Sequence, residues 1–240
     1  MQLNMSSIKV NIKDYISTQN AVNAADLAVV FSLKINTARQ YLSELSRGGG
    51  FVRTSRGVYA ASEKQNFTYL PSKTIKSIYN NLVKQLPFND FCVYDGEIFN
   101  PLQHHIFNNK AIYVETNSDS VETVFERLKT QYKNTYRRPD SKFMTDYVDL
   151  RQHCIIVKKL VTESPIVETD GVRVPTLEKI LVDILKDPDF DYLQGSESFY
   201  IFRAANELYN INFQRLMRYA KRRGAGDEIN TLIQQSANND

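Results

Sequence analysis

The chain has 240 residues, 42% of them hydrophobic and 24% charged. That is the balance of an ordinary globular protein with enough apolar side chains for more than one core. Residues 1–11 mix Gln, Asn, Ser and Lys with isolated apolar side chains, so no secretory leader is expected. No apolar run nears the roughly 20 residues needed to span a bilayer, and the expected compartment is the cytoplasm. Cys92 and Cys154 lie in separate apolar, strand-like runs, the pattern of reduced core thiols rather than of a disulfide or a Cys-x-x-Cys metal site. The net charge of +3 is unevenly placed. Residues 1–62 hold seven Lys/Arg against three acids, or +4, which leaves 23 bases against 24 acids, or −1, for the remainder. An anionic partner is therefore expected at the first quarter of the chain.

In residues 8–17, Ile8, Ile12, Tyr15 and Ile16 recur at helical spacing and predict a short first helix. Asn23, with Asp26 three residues on, reads as the N-cap of a second helix whose apolar stripe is Leu27, Val30 and Phe31. Residues 32–35 read as a tight turn, and Asn36 as the cap of a third helix burying Ala38, Tyr41, Leu42 and Leu45. Its other face carries Thr37, Arg39, Gln40, Ser43 and Arg47, short polar and basic side chains that can reach base edges in a major groove. Gly48-Gly49-Gly50 should stop this helix. Two β-prone pieces in residues 51–59 flank Ser55-Arg56-Gly57, a predicted hairpin with Arg53 and Arg56 placed to meet phosphates.

This order is that of a winged helix-turn-helix. The candidate DNA-binding residues are Lys34, Asn36, Thr37, Arg39, Gln40, Ser43, Arg47, Arg53 and Arg56. Arg39, Gln40 and Ser43 are expected to read bases, and Lys34, Arg47, Arg53 and Arg56 to hold phosphates. The competing reading is a three-helix protein–protein module with a solvated polar face; the local positive charge and the basic hairpin favour double-stranded DNA.

Residues 63–72, which include Pro71, read as a linker. Beyond it, residues 74–86 predict an amphipathic helix. Strands are expected at 91–94, 111–115, 154–157, 166–168 and 172–174, with a helix at 121–132. After Pro175 the pattern turns helical: 176–185, 196–209, 212–222 and 227–235, then a frayed tail at 236–240. The expected fold class is α+β, with a winged helix-turn-helix at 1–62 and a mixed α/β domain with a helical C-terminal half at 73–240.

Several constellations invite chemistry and fail its requirements. Asp187-Pro188-Asp189-Phe190-Asp191 lacks the Gly and Glu that a calcium loop needs at its sixth and twelfth positions, and reads as a polar loop. Gly195-Ser196 is not followed by the paired aspartates of a nucleotidyltransferase. His104, His105 and His153 have no metal-ligand spacing, and His104 and His105 point to opposite sides if extended. No catalytic residue, metal or cofactor is expected. At Pro175–Asp183, Thr176 reads as a helix cap with Glu178 in the first turn. Leu177, Ile180, Leu181 and Ile184 form the buried face there, and Lys179 and Asp183 an external i, i+4 pair. Arg215, Arg218, Lys221, Arg222 and Arg223 form a second basic patch, either a solvated helix end or a further nucleic-acid contact.

The run Ile155-Ile156-Val157-Lys158-Lys159-Leu160-Val161-Thr162-Glu163-Ser164-Pro165 and, after it, Gly171-Val172-Arg173-Val174-Pro175-Thr176-Leu177-Glu178-Lys179-Ile180-Leu181-Val182-Asp183 resembles the core of AbiEi-type antitoxins of type IV, abortive-infection toxin–antitoxin systems. Arg218-Tyr219-Ala220-Lys221-Arg222-Arg223-Gly224 resembles the closing segment of a branch with an N-terminal winged helix. The resemblance implies a transcriptional autorepressor that binds its own promoter. It also implies a protein that counters a nucleotidyltransferase toxin without forming a stable complex with it.

Overall fold

The computed structural model describes residues 5–19, 21–47, 51–62, 64–105 and 107–237. The chain divides into two compact units, Met1–Phe67 with Glu207–Asn210, and Thr68–Asn206 with Ile211–Asp240.

The first unit contains α1 (Met5–Thr18), β1 (Val22–Asn23), α2 (Ala24–Val30), α3 (Ile35–Arg47), β2 (Phe51–Ser55) and β3 (Val58–Ala61). The strands form an antiparallel sheet in the order β1-β3-β2. Asn23 caps α2 in a reciprocal box: its side chain accepts from the Ala25 and Asp26 amides at 2.8 and 3.0 Å, while the Asp26 carboxylate accepts from the Asn23 amide at 2.9 Å. Leu27 is buried and Phe31 partly so, but Val30, expected on the same stripe, is half exposed because α2 ends there. α3 starts at Ile35, one residue before the expected cap. Asn36 therefore sits inside the first turn, and the Lys34 carbonyl takes the Ala38 amide at 3.0 Å. The predicted glycine stop, residues 48–50, lies outside the described residues. Ile12, Ile16, Leu27, Ala38, Leu42 and Phe51 form one core, so α1, α2, α3 and β2 are packed together. The β2–β3 hairpin turns at Gly57, whose φ of 78° suits glycine. Residues 207–210 complete the unit: the Gln65 amide donates to the Leu208 carbonyl at 3.0 Å, and the Asn210 amide to the Gln65 carbonyl at 2.8 Å.

The second unit comprises α4 (Lys73–Gln85), β4 (Phe91–Asp95), β5 (Ile112–Thr116), α5 (Val121–Gln131), β6 (Thr135–Arg137), α6 (Ser141–Tyr147) and β7 (Ile155–Lys159). There follow the hairpin β8 (Ile166–Thr169) and β9 (Val172–Pro175), then α7 (Leu177–Asp183), α8 (Ser196–Leu208, whose last two residues belong to the first unit), α9 (Phe213–Arg223) and α10 (Gly226–Ala237). The main sheet has the order β4-β5-β7-β6, with β4 antiparallel to β5 and the other pairs parallel. The molecule is thus α+β. All five expected strands of this unit form, whereas β6 and α6 were not anticipated. Of the expected tail, Ser236 and Ala237 belong to α10, and residues 238–240 lie outside the described residues. Among the described residues no helix is long and apolar enough to cross a membrane.

Alternation along the strands gives the main sheet two distinct faces. Phe91, Val93, Val114, Ile155 and Val157 pack with Ile75, Ile78 and Leu82 of α4, with Val121, Val124 and Leu128 of α5, and with Val172 and Val174 of β9. The intervening residues, Cys92 and Tyr94 of β4, Tyr113 and Glu115 of β5, and Ile156 and Lys158 of β7, fall on the opposite face. Cys92 and Cys154 are buried free thiols, as expected.

One close approach fixes the end of β4. A Cβ at Gly96 would lie 2.1 Å from the side-chain Cγ of Asn109 and 2.5 Å from its carbonyl oxygen. Asn109 cannot yield easily, because it is buried and its amide donates to the hydroxyls of Tyr113 and Tyr192 at 2.9 and 2.8 Å. Gly96→Ala should therefore lower stability by about 1–3 kcal/mol in urea unfolding followed by circular dichroism. A cost below about 0.5 kcal/mol, the range of ordinary surface changes, would show that Asn109 moves aside freely.

Candidate functional site

In the first unit, the 13 residues of α3 are amphipathic. Ala38, Tyr41, Leu42 and Leu45 are buried, whereas Asn36, Arg39 and Gln40 are exposed and Thr37 and Ser43 half-buried. Two local bonds order the polar face. An Arg39 Nη1 donates to the Asn36 side-chain oxygen at 3.2 Å, and the Gln40 amide donates to Glu44 at 2.9 Å. The other Glu44 oxygen accepts from Lys9 of α1 at 2.6 Å, and that hydrogen bond holds the Lys9 ammonium above its ordinary pKa. Lys34 is exposed just before α3. Arg53 and Arg56 are exposed on the hairpin, with Arg53 Nε donating to the Ser55 carbonyl at 3.1 Å. The side chain of Arg47 lies outside the described residues. Lys9 and Glu44 were not anticipated: they are 35 positions apart, and no local spacing signals their pairing.

The second unit holds a buried charge network on the second face of its sheet. Lys179, 1% exposed, donates to Glu115 at 2.8 Å and to Asp183 at 2.5 Å. Tyr94 donates its hydroxyl to Glu115 at 2.9 Å; Tyr219 and Arg223 donate to Asp183 at 2.8 and 2.7 Å. Arg223 also binds Asp187, and Lys158 bridges Asp187 and Asp189 at 2.8 and 2.7 Å. Three cations thus meet four carboxylates. An aromatic floor completes the site, with the Lys158 ammonium 4.6 Å from the Phe190 ring centre and 5.1 Å from that of Tyr113.

Burial alone would push Lys179 and Lys158 toward neutrality. The carboxylates Asp183 and Glu115 around the first, and Asp187 and Asp189 around the second, outweigh it and hold both ammoniums above their ordinary pKa. Asp187 is likewise held well below the carboxylate range, because Lys158 and Arg223 outweigh the effect of its burial. Chemically the arrangement is an internal clamp: each charged group has a partner of opposite sign inside it.

Several expectations are corrected here. Lys179 and Asp183 are not an external pair; they turn inward because Glu115 projects from β5 to meet them. Residues 187–191 are not a solvated loop. Pro188–Leu193 is a 3-10 helix whose Asp189 is buried against Lys158. Nor do the five basic residues of α9 form one surface patch. Arg223 is drawn into the network, whereas Arg215, Arg218, Lys221 and Arg222 stay exposed, Arg215 lying 3.5 Å from Glu178 and Arg222 binding the Thr162 hydroxyl. Thr176 precedes α7 in extended backbone, yet its side chain makes no cap hydrogen bond. The rings of His104 and His105 do not diverge, since Nδ1 of the first lies 3.2 Å from Nε2 of the second. Their backbone amides share the Glu197 carboxylate, and His104 stacks on Tyr200. Among the described residues, no group of three or more His, Cys, Asp or Glu is placed to hold a metal.

The clamp has a measurable signature. Lys179→Met would strand Glu115 and weaken the hold on Asp183, at a cost of about 3–5 kcal/mol in denaturant unfolding. Adding Glu115→Gln removes the stranded charge, so the double variant should be more stable than Lys179→Met alone. A double variant no more stable than the single one would show that Glu115 does not need the ammonium.

Comparison with known proteins gives one finding for the chain as a whole. No curated protein matches it. A family model does match, that of DUF6577, a family of unknown function, over residues 37–239. The matched stretch begins inside α3 and covers the second unit up to residue 239. The chain is a member of the DUF6577 family.

Proposed function

We propose that this protein is a cytoplasmic, sequence-specific DNA-binding regulator whose first unit is a winged helix-turn-helix. α3 is its recognition helix and the β2–β3 hairpin its wing. The observation that carries the reading is the exposed Asn36, Arg39 and Gln40 row on α3, opposite a face wholly committed to the core. A helix of this kind fits a major groove, and Asn36 holds the Arg39 guanidinium as an ordered donor pair of the sort that recognises guanine. Lys34, Arg53 and Arg56 supply exposed cations for phosphates, in the part of the sequence that carries the positive excess. The narrower role, repression of its own promoter as an antitoxin against a nucleotidyltransferase toxin, rests on the resemblance to AbiEi-type proteins alone.

The reading predicts a gel shift with DNA from upstream of the gene, weakening steeply as salt rises because phosphate contacts release counterions. Arg39→Ala should cost about 1–3 kcal/mol of discrimination between operator and scrambled duplex. Arg56→Ala should weaken both duplexes alike and reduce the salt slope by about one unit. Circular dichroism should show both variants folded, since both side chains are exposed. No shift at low salt, or binding that heparin does not displace, would instead favour a protein–protein module.

A further inference from the structure

We propose that Glu44 sets base specificity at this interface by orienting Gln40 for adenine, an inference that rests on the DNA-binding reading above. The geometry begins with a restriction on what a carboxylate can do. An ionised carboxylate only accepts hydrogen bonds, so the part of Gln40 that meets Glu44 at 2.9 Å must be its NH2 group. That contact uses one of two N–H bonds. With the N–H anti to the amide oxygen making that contact, the second N–H, on the same edge as the oxygen, stays available together with it.

A neighbouring donor and acceptor are what adenine requires, because its groove edge offers an N7 acceptor beside an N6 donor. Guanine presents two acceptors there and would oppose the glutamine oxygen. A freely rotating glutamine could turn to suit either; one tethered through its NH2 group cannot. Arg39, a donor only, suits guanine, so neighbouring positions on α3 favour different purines.

Glu44 is itself fixed. Its second oxygen takes the Lys9 ammonium at 2.6 Å, which ties the carboxylate to α1. The same ammonium offsets the negative charge that Glu44 would otherwise turn toward phosphates. Gln40 and Glu44 are one helical turn apart on α3, so the tether needs no change in backbone. Glu44 is a positioning residue: it acts on the base through Gln40.

The test uses the full-length protein and a pool of duplexes with a randomised site. Anisotropy titrations on the selected duplex and its single-base variants then measure each position. Wild type should prefer adenine at one position by about 5- to 150-fold, the range for a bidentate amide contact. Gln40→Ala should abolish that preference. Glu44→Ala should lower it at the same position about twofold, the reach of an i, i+4 side-chain bond, while binding scrambled DNA more tightly, because an acid has left a phosphate-facing surface. The double variant should lose nothing beyond Gln40→Ala. Circular dichroism should show Glu44→Ala folded, and a folded variant that binds every duplex less would overturn the proposal. So would an unchanged adenine preference in Glu44→Ala, or a base other than adenine at the position governed by Gln40. If wild type binds no duplex even at low salt, the DNA-binding reading itself falls; if wild type selects a site and only the Glu44 result fails, that reading stands.

Discussion

A lysine ammonium buried to 1% exposure tolerates very few surroundings, and much of the second unit is arranged to meet that constraint. Lys179 stands on α7 with Asp183, and the network reaches beyond that helix to Glu115 of β5 and, through Asp183, to Tyr219 and Arg223 of α9. Lys158 on β7 repeats the pattern with Asp187, just before the 3-10 helix, and Asp189 within it. Together the two lysines bind the helical C-terminal half to the sheet. Burying ions gains little net stability, since desolvation offsets most of the attraction. What it imposes is uniqueness: a helix shifted by one turn would leave several charges unpaired in an apolar setting, whereas an all-leucine contact would tolerate the slip.

The first unit uses charge in the opposite way. Its core is almost wholly apolar, and its exposed cations are left at the surface on α3 and the hairpin. Internal bonds there order the side chains without neutralising the face: Asn36 steadies Arg39, and Glu44 steadies both Gln40 and Lys9. One charge system is closed on itself, and the other is open toward solvent.

Much of this architecture was legible in the sequence. The 3.6-residue spacing of Ala38, Tyr41, Leu42 and Leu45 and the Asn23–Asp26 cap are local signals, and local signals give elements. β6 escaped because three residues, Thr135 to Arg137, are too short a run to show alternation. The clamp escaped for a different reason. An i, i+4 Lys–Asp pair looks the same in sequence whether it lies in water or in a core, and only the tertiary neighbour decides. A clue did exist. Glu115 and Lys158 fall at inward positions of strands that are otherwise apolar, and a charge in such a place demands an opposite one across the interface. On α3, Arg39 and Gln40 are exposed as expected and Thr37 and Ser43 half-buried, while the pairing of Lys9 with Glu44 was hidden by their distance along the chain.

The closure of the first unit by residues 207–210 bears on how the protein is made. Gln65 pairs its backbone with Leu208 and Asn210, and the Asn210 side chain reaches Ser62, Lys64 and Asn66. During synthesis those partners leave the ribosome only after nearly all of the second unit has been translated. The first unit therefore cannot make its last contacts until residues 207–210 are available. The helices and hairpin of the first unit can assemble early, but the backbone of Gln65 finds its partners only on the return of the chain. A nascent protein halted before residue 207 would lack the segment that pairs with Gln65 and so carry an incomplete first unit.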